Sequence, residues 1–252
     1  MALKHVQKTY DKLGKTDPLY AVLSFKDAKN NQWDPEAFFA RGRKEIDAAL
    51  GQLTSLGLEL NKGRALDFGC GVGRLTQALC DHFSAAVGID ISASMIEGAQ
   101  RFNQHGERCI YRVNTTDDLA QLDDRSFDFV YSNIALQHTP PETSSRYIAE
   151  FFRILRPGGI AMFQIPSGPR HDPGTLSAYL YSIKRGPLRR LWKRIRGKPP
   201  VEIHYVNQSL VEDIIKKAGG RLVDTRQDGS VRRSRVSMFY TAVRESSGTL
   251  DI

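Results

Sequence analysis

The stretch Leu66-Asp67-Phe68-Gly69-Cys70-Gly71-Val72-Gly73-Arg74 limits the fold more than any other part of the chain. Ala65 to Phe68 is a short apolar run that reads as a buried strand, and a helix follows through Cys80. Three glycines at alternate positions lie between them. Without Cβ atoms they permit a tight turn and close approach of backbone to a ligand. A strand, a glycine turn and a helix form the opening unit of an open α/β sheet. The phosphate-binding dinucleotide fingerprint GxGxxG is not met, because its third glycine position is Arg74. The spacing is GxGxG, with Asp67 two residues before the first glycine. A glycine turn alone is also what a plain tight turn needs, so its meaning depends on the rest of the chain.

The rest of the chain alternates. Strands are expected at Ala85–Ile89, Cys109–Val113, Phe127–Ser132 and Ile160–Ile165, with a helix that Ser92 can cap after the second strand. A helix over Pro141–Leu155 is ended by Arg156-Pro157-Gly158-Gly159. Such alternation implies a parallel sheet with right-handed crossovers. The order then changes. Ser209–Ala218 reads as a helix stopped by Gly219-Gly220, and Arg221–Thr225 with Val236–Val243 as a hairpin turning near Asp228-Gly229. The expected fold is α/β: a Rossmann-like, seven-stranded, mostly parallel sheet with one antiparallel strand and helices on both faces. Residues 1–60 read as an N-terminal helical lid, 61–166 as the core, 167–208 as a basic variable insertion covering the substrate, and 209–252 as the closing helix and hairpin. Within the lid, Phe39, Ile46, Ala49, Leu50 and Leu53 recur at helical spacing, with Asp34 as N-cap and Pro35 in the first turn.

Composition is that of an ordinary globular protein, with 40% hydrophobic and 25% charged residues in 252. No apolar run reaches the roughly 18 residues that span a bilayer, and the polar start of the chain lacks a signal-peptide core. Cys70, Cys80 and Cys109 form no CxxC. A reduced cytoplasmic protein without disulfides or a bound metal is expected. Net charge is +8, and eight basic residues lie within Lys184 to Lys198. The other 28 of the 36 basic residues balance the 28 acidic ones, so a generally basic nucleic-acid surface is not expected.

The chemistry-bearing residues collect where the strands end, on the carboxyl edge at which open α/β sheets bind ligands. Asp90 ends the second strand, 17 residues after Gly73, where a carboxylate can accept two hydrogen bonds from vicinal ribose hydroxyls. Its alternative is to cap the next helix, a role for which Ser92 competes. The third strand runs into Asn114-Thr115-Thr116-Asp117-Asp118, and the fourth into Asn133, Leu136, Gln137 and His138.

Taken together, LDFGCGVGRLT, GIDIS, SFDFVYSNIALQH and RILRPGGIAMFQIP resemble the class I S-adenosylmethionine-dependent methyltransferases, over about Arg64 to Pro166. The resemblance implies S-adenosylmethionine as cofactor. Gly69, Gly71 and Gly73 would face its methionine and ribose, and Asp90 would bind the ribose hydroxyls. Ile91 would pack on adenine, Thr116 and Asp117 would hold the adenine edge, and Asn133 would lie beside the sulfonium. Asp67 would order the glycine loop. Arg74 departs from the small or apolar residue expected there. It either pairs with the methionine carboxylate or lies on the helix surface.

For the acceptor, the chain lacks the Asn/Asp-Pro-Pro-aromatic run of base-amino enzymes, a cysteine near the fourth strand, and a carboxylate at position 133. O-methylation of a small molecule or sugar hydroxyl is the favoured activity. Methyl transfer to a hydroxyl needs orientation and a base. His138 is the first candidate, against a structural role in the Thr139-Pro140-Pro141 loop; His204 is the second, against a surface position. Trp33, Phe38 and Phe39 either line the lid or pack in its core. Leu188, Leu191, Trp192 and Ile195 share one face of a basic helix. That helix either docks on its own domain or touches an anionic membrane or lipid-linked glycan. An RNA acceptor and a non-catalytic cofactor-binding member are the other readings.

Overall fold

The computed structural model describes residues 2–169, 203–229 and 235–246. The basic segment 184–198 and most of the insertion lie outside the described residues. The sheet has seven strands: β1 (Arg64–Phe68), β2 (Ala85–Asp90), β3 (Cys109–Val113), β4 (Phe127–Ser132), β5 (Leu155–Pro169), β6 (Gly220–Asp228) and β7 (Arg235–Arg244). Their order is β3-β2-β1-β4-β5-β7-β6. The first five run parallel, and β7 enters antiparallel between β5 and β6. This is the Rossmann-like arrangement expected, with one antiparallel strand.

The helices are α1 (Ala2–Thr16), α2 (Pro18–Val22), α3 (Pro35–Ser55), α4 (Arg74–Cys80), α5 (Ala93–Phe102), α6 (Pro141–Ile154) and α7 (Gln208–Lys217). On one face of the sheet, Ile148, Phe151 and Phe152 of α6 and Val211 and Ile215 of α7 pack onto Leu66, Val130 and Phe163. On the other, Ile46 and Leu53 of α3 and Leu79 of α4 pack onto Ala65, Phe129 and Met162. β1, β2 and β4 are covered on both sides, which is why they read as near-continuous apolar runs rather than alternating ones, while β3 at the edge leaves Arg112 and Val113 exposed. None of the described helices is long and apolar enough to cross a membrane.

Local signals set the helix starts. The Asp34 carboxylate accepts the Ala37 N–H at 3.1 Å, and Ser92 Oγ accepts the Met95 N–H at 3.2 Å. One boundary differs from expectation. Pairing of β5 begins at Leu155, opposite Phe127, and a bulge then takes up Arg156 to Gly159 before the ladder resumes at Ile160. Gly158 stands at φ +78 there, so the run that ends α6 also opens the strand. Trp33, Phe38 and Phe39 form an aromatic cluster with Phe25 and Phe102, and the indole N–H donates to the Leu23 carbonyl at 2.9 Å. They pack the base of the N-terminal segment; none of them lines the cavity described below.

Two glycines of α3 give opposite expectations for the same substitution. A Cβ on Gly42 would stand 2.4 Å from the Arg74 carbonyl oxygen, a backbone atom that cannot step aside, whereas Gly51 has open space. Alanine gains about 0.5–1 kcal/mol of helix propensity at either site. At position 42 the overpacking cost of about 1–3 kcal/mol outweighs it. Urea unfolding should show Gly51→Ala stabilised and Gly42→Ala destabilised. Equal shifts in the two variants would refute the close packing of α3 on α4.

Candidate functional site

A cavity of about 820 Å³, counted with its open mouth, lies at the carboxyl ends of β1, β2, β3 and β4. Strand order reverses between β1 and β4, the switch point where a parallel sheet opens a crevice. Phe68 and Gly69, then Asp90 and Ile91, then Asn114, and finally Asn133 to Ala135 come from the four strand ends. Val6, Tyr10, Ala21 and Val22 of α1 and α2 close it from above, and His138, Thr139 and Tyr147 complete the wall.

Asp90 is the fixed point. Its Oδ2 accepts the Gly71 N–H and its Oδ1 the Ser92 N–H, both at 2.9 Å. One bond to each oxygen clamps the carboxylate and leaves further lone pairs for a ligand. Burial raises its pKa to about 6, against the pull of those N–H donors, which favour the charged form. Asp67, buried below the glycine turn, accepts the Thr76 hydroxyl at 2.7 Å, and burial pushes it up to about 7. This bond ties α4 to the end of β1, on either side of the glycine turn.

The glycines serve the protein as well as a ligand. A Cβ on Gly69 would meet the Ala135 methyl at 2.2 Å, and one on Gly71 would meet Val22 of the lid at 2.7 Å. Both residues line the cavity. Gly73 does not; at φ +81 it leaves room for the Tyr111 phenol, which a Cβ would approach to 2.3 Å. Arg74 takes neither position expected for it. It is 5% exposed, stands outside the cavity lining and pairs with Glu45 of α3 at 2.9 Å.

Other expectations shift by a few residues. Asn114 lines the cavity, whereas Thr116 and Asp117 do not. Thr116 Oγ1 lies 2.9 Å from both Asn114 Oδ1 and Asp118 Oδ1 within its own turn, and Asp117 pairs with Arg146 of α6. His138 lines the cavity at the end of a 3-10 turn over Leu136–His138, its ring 5.5 Å from that of Tyr10. His204 stands outside the lining, and its backbone N–H donates to the Gln137 carbonyl at 2.8 Å. Tyr10 was not singled out from sequence, although Val6, Tyr10 and Leu13 fall on one helix face. Burial and the charge of Asp90 hold its phenol above the usual range. Among the described residues no group of His, Cys, Asp and Glu is arranged to hold a metal ion.

Asn133 carries the least satisfied group in the cavity wall. Its Nδ2 donates to Glu45 Oε1 at 2.7 Å, while its Oδ1 is buried without a protein partner. Next to it, Ile134 adopts φ +61, a strained conformation for a β-branched residue. Its N–H is held at 3.1 Å by Gln164 of β5, whose amide donates in turn to Ser237 of β7 at 2.5 Å. Strain of this kind persists only where the surroundings enforce it.

Comparison with known proteins gives the same picture. Residues 66–163 match the family described as methyltransferase domain. The trans-aconitate 2-methyltransferase of Deinococcus radiodurans is 33% identical over 148 residues, which are 55% of this chain and 51% of that protein. A ubiquinone biosynthesis O-methyltransferase of Hahella chejuensis is 30% identical over 146 residues, 58% of this chain and 60% of that protein. The chain thus spans between half and three fifths of the length of these curated relatives. Magnesium protoporphyrin IX methyltransferase from Synechocystis PCC 6803, solved with bound S-adenosylhomocysteine, has the same fold, with a TM-score of 0.60 at 22% identity, covering 97% of this chain and 100% of that one.

The two buried carboxylates set a pH dependence. Each binds its proton more tightly in the folded chain than in the unfolded one, so their stabilising contribution is complete below an unfolded pKa near 3.8 and is lost as pH rises through about 6 and about 7. Unfolding free energy from urea titrations should therefore fall between pH 5 and pH 8, by on the order of 2–4 kcal/mol. Asp67→Asn should flatten the upper part of that slope. Stability that instead rises across this window would contradict the burial of both groups.

Proposed function

We propose that this chain is a class I S-adenosylmethionine-dependent methyltransferase that methylates a hydroxyl oxygen of a small molecule or sugar; the match of residues 66–163 to the methyltransferase domain family supports the reading. The observation that carries the reading is the Asp90 carboxylate, clamped by two backbone N–H groups in the wall of a cavity that His138 also lines. A vicinal ribose diol offers the two donors that such a carboxylate accepts.

The residues present fit S-adenosylmethionine. Asp90 would hold the ribose, Ile91 and Met95 offer an apolar wall for adenine, and Asn133 Oδ1 is a buried acceptor that no protein group fills. When bound, the cofactor supplies an electrophilic methyl group on a sulfonium. The chain's own work is then to orient, to exclude water and to move one proton. The glycine turn and the strained Ile134 fix one side of the cavity, and Tyr10 and Val22 cover the other. His138 takes the proton of the acceptor hydroxyl on the one basic nitrogen of its neutral imidazole; the Gln137 amide donates to its Nε2 at 3.1 Å, so the acceptor hydroxyl has to displace that amide. The Tyr10 ring against it limits the orientations the imidazole can take. The O-methyltransferase among the relatives supports an oxygen acceptor.

His138→Gln or His138→Ala should lower the rate of methyl transfer by about 10²–10⁴-fold while leaving cofactor affinity nearly unchanged. A tritiated-methyl assay on glycan and small-phenol acceptors, with isothermal calorimetry alongside, measures both. Full turnover without His138 would remove the base from this account, and methyl transfer found only on a nitrogen acceptor would remove the hydroxyl.

A further inference from the structure

Glu45 belongs to α3, outside residues 66–163, yet three groups from within that range converge on its carboxylate: Arg74 of α4, Tyr131 of β4 and Asn133 of the cavity wall. Arg74 Nη1 lies 2.9 Å from Oε2, while the Tyr131 hydroxyl and Asn133 Nδ2 donate to Oε1 at 3.2 and 2.7 Å. A carboxylate only accepts, and Arg74 only donates. Asn133 therefore has one workable orientation: its NH₂ turns to Glu45, and its oxygen is left buried and unpartnered in the cavity wall. Burial and the Glu45 charge hold the Tyr131 phenol protonated, so it stays a donor in this set.

We propose that Glu45 is a positioning residue that turns Asn133 to present an acceptor oxygen to the ammonium group at the amino-acid end of the bound cofactor. The inference rests on the cavity being the S-adenosylmethionine site. Two observations point to a cationic donor. The unfilled group is an acceptor, and the carboxylates of Glu45, which holds the Asn133 amide, and of Asp67 and Asp90, whose charges act on one another, outnumber the nearby cation Arg74, already paired with Glu45. With the ribose at Asp90 and adenine toward Ile91 and Asn114 on the β3 side, the amino-acid end extends toward β4, where Asn133 stands.

The logic can be inverted by substitution. In Glu45→Gln, buried Arg74 draws the new amide's oxygen, so its NH₂ confronts Asn133 and forces that amide to flip. The cavity then meets a donor instead of an acceptor. Adding Asn133→Asp gives the new amide at position 45 a carboxylate to donate to and returns an acceptor oxygen to the cavity. The probes are S-adenosylhomocysteine, which carries the ammonium, and 5′-methylthioadenosine, which keeps the nucleoside and thioether but lacks the amino-acid end.

Calorimetry should show Glu45→Gln binding S-adenosylhomocysteine at least tenfold more weakly, with 5′-methylthioadenosine nearly unaffected, and the double variant should regain most of the loss. Its thermal midpoint should stay as low as that of Glu45→Gln, because the Arg74 ion pair is not restored. Asn133→Ala, which leaves Glu45 and Arg74 paired, should show the same selective loss. Unchanged S-adenosylhomocysteine binding in Glu45→Gln, equal loss of both ligands, or no recovery in the double variant would each overturn the proposal. Wild-type protein that binds neither ligand would sink the cofactor reading itself.

Discussion

A carboxylate with no room to move, Asp90 at the end of β2, is the constraint around which the site is arranged. Two backbone N–H groups hold it, and they come from opposite directions: Gly71 from the turn after β1 and Ser92 from the start of α5. The turn and the helix start are thereby locked to the same strand end. Ser92 extends the chain of contacts. Its hydroxyl donates to Asp11 of α1 at 2.7 Å, and Ser94 donates to the Asp11 carbonyl at 2.9 Å. A Cβ on Gly14 would strike Ser94 Oγ at 2.4 Å, so α1 lies as close to α5 as backbone packing allows. The lid is thus hooked beside the carboxylate that defines the floor.

The N-terminal helices are consequently part of the site rather than an appendage to it. Residues 66–163 supply the strand ends, but Tyr10 and Val22 close the cavity and Glu45 orients Asn133. Each of these contacts depends on a small residue that lets backbones approach: Gly14 for α1 against α5, Gly42 for α3 against α4, Gly71 for α2 against the turn. The relatives match this chain over only half to three fifths of their own length.

The sequence made the core legible because its signals are short-range. Asp34 and Ser92 cap the helices they were expected to cap, β3 runs over Cys109–Val113 as read, and β7 enters antiparallel. Strand ends identified Asp90, Ile91, Asn133 and His138 as residues that line one cavity. The misplacements share a cause. Arg74, Gly73 and Asp117 were judged by their neighbours in sequence, but their positions are set by Glu45, Tyr111 and Arg146, each distant along the chain. Thr116 was taken by its own turn, and Asn114 faces the cavity in its place. Tyr10 lay on an ordinary amphipathic helix whose docking site no local pattern reveals.

The central claim is that the Asp90 cavity is built for the nucleoside of S-adenosylmethionine. Isothermal calorimetry of the purified protein with S-adenosylhomocysteine and with NAD, repeated on Asp90→Ala, tests it most directly. The account predicts 1:1 binding of S-adenosylhomocysteine, no preference for NAD, and a loss of about 2–3 kcal/mol when the charged acceptor of two hydrogen bonds is removed. NAD bound in preference, or S-adenosylhomocysteine bound equally well without Asp90, would contradict it.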